Sequence, residues 1–247
     1  TFAPPAAFAE RANVTEEWIR REWIERAGQD PETFWTHRAE ILDWAEPWHT
    51  AHRWRPTDGE SIPSAEWFVG GRLNASVNAV DRHVAAGHGD RVAFHFEGEP
   101  GDRRTITYAE LQREVAKAAN ALTAMGIGKG DRVVVYLPVL VETVVIQLAV
   151  ARIGAIHSLV FGGFSAEAVR FRVQDTRAKL LVTTDGQFRR GAAVPVKHQA
   201  DAAVAGVDSI EHVLVIRRTG DEVAWTEGRD LWWHETVDTA PDTHEPE

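Results

Sequence analysis

The stretch HSLVFGGFSAEAVRFR, residues 157–172, ends an apolar run with two adjacent glycines, Gly162 and Gly163. A serine, a glutamate and the arginines Arg170 and Arg172 follow at once. These residue types suit anion binding. Glycines let backbone approach a phosphate closely, and amides at a helix start supply positive potential. The same letters describe a plain strand-to-helix turn with arginines on a solvated face, and the local sequence leaves both readings open. Arg177, Lys179, Arg189 and Arg190 continue the basic series. The last two follow a strand and turn in TTDGQFRRG, at the end of the sheet where the glycines lie. Two loops from one sheet edge can converge on one ligand.

Other candidate motifs fail on their own mechanics. MGIGKGDR, around Lys129, follows a helix and has glycine where a phosphate loop needs a hydroxyl residue after the lysine, so it reads as a helix stop and turn. FGGFS lacks the third glycine of a dinucleotide fingerprint. His49 and His52 form an H-x-x-H without a third ligand at a recognisable spacing, so no metal site is assigned. Asn74-Ala75-Ser76 matches a glycosylation sequon by chance. No hydrolase elbow or zinc-protease motif occurs, and no side chain reads as a catalytic acid, base or nucleophile.

The composition is that of an ordinary soluble domain, 44% hydrophobic and 26% charged over 247 residues. A net charge of −10 argues against nucleic acid or an anionic membrane as the main partner. The absence of cysteine removes disulfides, zinc thiolates and thiol nucleophiles together. The most apolar region, Val133 to Phe161, is interrupted by Pro138, Glu142, Arg152 and Gly154, so it reads as strand, helix, strand rather than a membrane span.

The elements that must position the glycines and arginines form an α/β pattern. Thr107 and Glu110 predict a capping box opening a helix with Leu111, Val115, Ala118, Leu122 and Met125 on one stripe. Strands VVVYL, IHSLVF and KLLVTT alternate with helices from about Val141 and from Ser165, which predicts a mainly parallel sheet flanked by helices. A further helix and the strand HVLVIRR follow, and WTEGRDLWWHETV reads as a loop leading to a short helix. Upstream, RVAFHFEGEPGDRRTITY predicts a β-hairpin and Asn74 opens a helix ending near Gly87. At the N-terminus, Asn13 with Glu16 predicts a capped helix stopped by Gly28, and Asp30-Pro31 opens a second to about Leu42. Residues 44–63 read as an irregular wrap that buries its tryptophans, and the acidic tail from Asp238 as disordered or cut in mid-loop.

Four long runs carry a family resemblance: WFVGGRLNASVNAVDRHV, RTITYAELQREVAKAANALTAMGIGKGDRVVVYLP, ARIGAIHSLVFGGFSAEAVRFRVQDTRAKLLVTTDG and RRTGDEVAWTEGRDLWWHE. Together they resemble the N-terminal portion of AMP-forming acetyl-CoA synthetases, in the adenylate-forming acyl-CoA synthetase superfamily. The resemblance runs from about residue 8 to about residue 240. It implies an N-terminal segment over 1–63, the first part of an adenylation domain over 64–240 and a truncated linker over 241–247. It also implies a two-step reaction, acyl-adenylate formation from ATP and a carboxylate with magnesium, then displacement of AMP by the CoA thiol. Relatives acting on propionate look much alike here.

No TSGSTGKPKG-like phosphate loop occurs, so the chain is expected to lack the adenylation machinery and to be inactive alone. What it is expected to keep is part of the CoA site. The resemblance assigns Phe161, Gly162 and Gly163 to the nucleotide end of CoA and Arg189 to its 3′-phosphate side. A second arginine of relatives is Ala192 here, which weakens the contact or shifts it to Arg190. The expected partners are small-molecule substrates and the remainder of a parent chain, with self-association of the isolated piece, in the cytoplasm. A stand-alone module binding CoA or a partner protein without catalysis is the rival reading.

Overall fold

The computed structural model describes residues 3–12, 14–57, 59 and 62–247. They fall into two compact units, Thr1–Leu73 and Asn74–Glu247.

In the first unit, helix α1 spans Ala6–Ala9, α2 Glu17–Gln29 and α3 Pro31–Ala39. Asn13 lies outside the described residues. The N-cap of α2 is Glu16, in extended conformation and without a side-chain cap, in place of the expected capping contact. Gly28 does not stop this helix. It ends at the pair Asp30-Pro31, because the residue before a proline is driven out of the helical region. Asp30 caps α3 as expected, its carboxylate accepting from Thr33 N at 3.1 Å. The expected irregular wrap over 44–63 holds a strand instead: β1 (Thr50–Arg55) pairs antiparallel with β2 (Ser64–Val69). Its tryptophans are not all buried either. Trp44 and Trp48 pack together and onto Phe68, while Trp54 is 57% exposed.

The second unit opens with the Asn74 carboxamide oxygen accepting from Ser76 N at 2.9 Å and Val77 N at 3.3 Å. Residues 75–86 are helical, with wide turns at Val77–Asp81 and within Val84–His88, and Gly87, at φ 82°, breaks the helix where the sequence predicts its end. Strands β3 (Val92–Glu97) and β4 (Arg103–Thr107) make the expected hairpin. The capping box at Thr107 and Glu110 is formed, and α4 (Tyr108–Ala124) buries its predicted stripe.

Then come β5 (Arg132–Leu137), α5 (Val141–Arg152), β6 (Ile156–Phe161), α6 (Ala166–Thr176) and β7 (Leu180–Thr184). With β10 (His212–Ile216) and β11 (Asp230–Trp232) they build a five-stranded parallel sheet in the order β11-β10-β7-β5-β6. Alternation along each strand divides the core between the sheet's faces. Val133, Val135, Leu180, Val182 and Leu214 pack with α4 and α5, whereas Val134, Tyr136, Leu181, Val213 and Val215 pack with α6 and α7 (Lys197–Val204).

Three features differ from expectation. A short hairpin, β8 (Gly186–Arg189) with β9 (Ala192–Pro195), fills the stretch before α7. DLW is the fifth sheet strand, because its three residues find a parallel partner in β10 and bury Asp230, and the one-turn helix α8 (Trp233–Thr236) follows with Trp233 buried. The tail is docked rather than disordered. Asn120 Nδ2 donates to Pro241 O and Thr243 O at 2.8 Å, and buried Arg152 donates to His244 O while forking onto Asp81. Acidic composition hid these backbone acceptors, which any sequence would offer.

Candidate functional site

All five strands of the parallel sheet present their carboxyl ends at one edge. The chain adds β6 on one side of β5 and β7 on the other, so the order of winding reverses at β5. A reversal of this kind opens a crevice at the strand ends, where open α/β sheets bind ligands. Pro138 ends β5, Gly162 and Gly163 follow β6, and Asp185 and β8 follow β7.

Neither glycine has a positive φ, so turn conformation is not what demands them. Close packing is. A methyl on Gly162 would come within 3.0 Å of the Pro138 nitrogen and 3.1 Å of Gln187 Oε1. A methyl on Gly163 would meet Arg189 Nη1 at 2.6 Å and Phe161 Cε1 at 3.2 Å. Thus the Gly162 site is closed by backbone, and the Gly163 site by the guanidinium lying over it.

The loop is held from beneath. The Gly162 carbonyl accepts from buried Gln187 Nε2 at 2.8 Å, and the buried Tyr136 hydroxyl donates to Phe164 O at 2.8 Å. Burial pushes the Tyr136 hydroxyl above its ordinary range, so it stays a donor.

Phe161, Arg189, Phe188, Phe96, Glu99 and Arg218 share the lining of a cleft of about 230 Å³ at this edge. Phe161 is 49% exposed, an aromatic face available to a ligand. Arg189 is exposed and has no ion-pair partner among the described residues. Arg190 does not line the cleft. It is the first residue of the two-residue β8–β9 turn, with φ 56° there and 79° at Gly191, the pair of positive values that a tight hairpin turn requires. Ala192 pairs directly with Arg189 across the hairpin, so a side chain there stands on the same face as Arg189.

Arg218 forks onto Asp102 at 2.8 and 2.9 Å and lies over the Phe188 ring. Its hydrogen bonds hold the Asp102 carboxyl below the ordinary carboxylate range. The loop carrying Arg218 is fixed by Asp185, whose buried carboxylate accepts from the amides of Gly186, Arg218, Thr219 and Gly220 at 2.7–3.1 Å.

The structure therefore brings Phe161, Gly162, Gly163 and Arg189 together and leaves Arg190 at the turn. The basic residues of α6 are occupied elsewhere. Arg170 donates to the carbonyls of Ala202 and Ala203 at the end of α7, Arg172 donates to Ala168 O, and Arg177 is the left-handed cap of α6. His49 bonds Thr50, and the His52 ring stacks on Trp67. Gln187, Asp185, Glu99 and Arg218 were not singled out from sequence. The arginine pair directly after the strand HVLVI was a usable signal for Arg218, since it places charge at the same sheet edge.

Residues 81–246 match the family described as AMP-binding enzyme, and residues 20–79 match the family described as acetyl-coenzyme A synthetase N-terminus. The whole chain aligns at 54% identity with an acetyl-coenzyme A synthetase of Mycobacterium tuberculosis, covering 37% of that protein. It aligns at 56% with one of Streptomyces avermitilis (all of the chain, 36% of the relative) and at 49% with one of Gemmatimonas aurantiaca (all of the chain, 37% of the relative). The chain thus spans little more than a third of the length of these relatives.

Proposed function

The chain belongs to the AMP-binding enzyme family, and on that premise we propose that it is the N-terminal part of an AMP-forming acetyl-CoA synthetase acting in the cytoplasm. The parent enzyme converts acetate, ATP and CoA to acetyl-CoA, AMP and pyrophosphate. This part contributes one side of the CoA site. The observation that carries the reading is the meeting of Gly163 with the Arg189 guanidinium, which has no ion-pair partner among the described residues, beside Phe161 at the crevice where the winding of the sheet reverses.

In this role Phe161 offers its exposed ring to the nucleotide end of CoA. Gly162 and Gly163 keep the backbone low enough for close approach, and Arg189 supplies charge to the 3′-phosphate side. Arg190, one residue on, reaches a bound phosphate only from the hairpin turn. A charge-assisted contact of this kind contributes roughly 1.5–3 kcal/mol. Ala192 removes the second such contact from the face Arg189 occupies.

Acetate, ATP and magnesium are assigned to the remainder of the parent chain, along with acyl specificity between acetate and propionate. The 247 residues alone form no acyl-adenylate.

The test separates the half-reactions in the full-length enzyme. Gly163→Leu and Arg189→Ala should raise the KM for CoA while acetate-dependent ATP–pyrophosphate exchange persists. An equal loss in both half-reactions would make these residues structural and refute the assignment.

A further inference from the structure

Two links join the β3–β4 turn to the opposite side of the cleft. Asp102 forks onto Arg218, and Glu99 Oε1 accepts from the Gly191 amide at 2.6 Å. The links differ in charge. Asp102 and Arg218 neutralise one another, and Glu97, also lining the cleft, is paired with Arg103 at 2.9 Å. Arg189 and Glu99 are then the ionic groups lining the cleft that have no ion-pair partner among the described residues.

Gly191 stands two residues after Arg189, in the tight turn that ends β8. A backbone amide beside an arginine is a donor set suited to a phosphate oxygen. Here a carboxylate oxygen of the same chain holds that amide. Resting on the CoA reading, we propose that Glu99 is a specificity-determining residue of the site. It is an internal anion that occupies the Gly191 amide and opposes the 3′-phosphate that Arg189 attracts. Glu99 thereby limits how much affinity the phosphate adds, and so the preference for CoA over its 3′-dephosphorylated form.

Two substitutions separate charge from tethering. Glu99→Gln keeps an oxygen for the Gly191 amide and removes the charge, whereas Glu99→Ala removes both. KM is measured for CoA and for dephospho-CoA with the full-length enzyme, alongside Arg189→Ala. Glu99→Gln should lower the KM for CoA by about two- to fivefold, the range for a screened exposed charge pair. The KM for dephospho-CoA should stay put, and Glu99→Ala should follow the same direction. An unchanged or raised KM for CoA in Glu99→Gln, or an equal gain for both thiols, overturns the role of Glu99. If Arg189→Ala still raises the KM for CoA in that case, the CoA reading survives without it. If Arg189→Ala has no effect on CoA, the reading and the inference fall together.

Discussion

Replacing Asp185 with asparagine should destabilise the Asn74–Glu247 unit, and the magnitude can be worked from its partners. The carboxylate is fully buried at the end of β7. One oxygen accepts from the amides of Gly186, Arg218 and Thr219 at 2.7, 2.7 and 3.1 Å, and the other from Gly220 at 2.8 Å. An asparagine can present its oxygen to the first three only by turning its NH2 toward the Gly220 amide. One buried donor then faces another, at a cost of about 1–3 kcal/mol. The three retained bonds pass from a charged to a neutral acceptor and lose about 1 kcal/mol each.

Relief from burying a charge offsets part of this, leaving a net loss of about 3 kcal/mol. For a unit of this size that is a fall of about 6–12 °C in Tm. Urea denaturation of the chain and of Asp185→Asn, followed by tryptophan fluorescence, measures it. A loss under about 1 kcal/mol at unchanged urea slope would show that the four amides find other partners, and the anchoring role would be wrong.

Three further outcomes test other parts of the structure. Gly162→Ala should lower stability by about 1–3 kcal/mol because its methyl meets the Pro138 backbone, whereas Gly163→Ala displaces the tip of Arg189 and nudges the half-exposed Phe161 ring, and should cost less than half as much by the same urea assay. Equal losses would mean that both glycines serve packing alone. The docked tail should loosen in mild acid. Burial first, then the nearby Arg152 charge, holds His244 below the ordinary histidine value. Its contribution is therefore present above about pH 6.5 and lost as pH falls through the lower folded value. Hydrogen exchange over 240–247, corrected for intrinsic rate, should rise between pH 7.5 and 5.5, and His244→Gln should flatten the change.

Finally, among the described residues β6 pairs on one side only and exposes Ile156, Leu159 and Phe161. The isolated chain should self-associate in sedimentation velocity, and Leu159→Lys, which charges the open edge, should reduce it. A monomer at all concentrations would show that the edge is already protected.

Sequence alone determined the elements whose periodicity and caps are local. The stripe of α4, its Thr107–Glu110 box, the β3–β4 hairpin and the alternation of strands and helices into a parallel sheet all follow from spacing within about fifteen residues. The same letters placed glycines and arginines at one sheet edge. Sequence could not show β11, a three-residue strand whose only warrant is the neighbour β10, nor the β8–β9 hairpin, whose two-residue turn is spelled Arg190-Gly191 rather than by a typical turn pair.

Nor could sequence explain the paired glycines. Whether Gly162 and Gly163 make a turn or leave room is decided by what lies opposite them. The Pro138 backbone and the Arg189 guanidinium arrive there from 24 residues upstream and 26 downstream, respectively. The pairing of Asp102 with Arg218, the hold of Glu99 on Gly191 and the amides of Arg218, Thr219 and Gly220 around Asp185 are likewise contacts between residues far apart in the chain. Local chemistry names the groups able to bind an anion. Which of them remains free to do so depends on which have already been neutralised, and only the assembled sheet edge decides that.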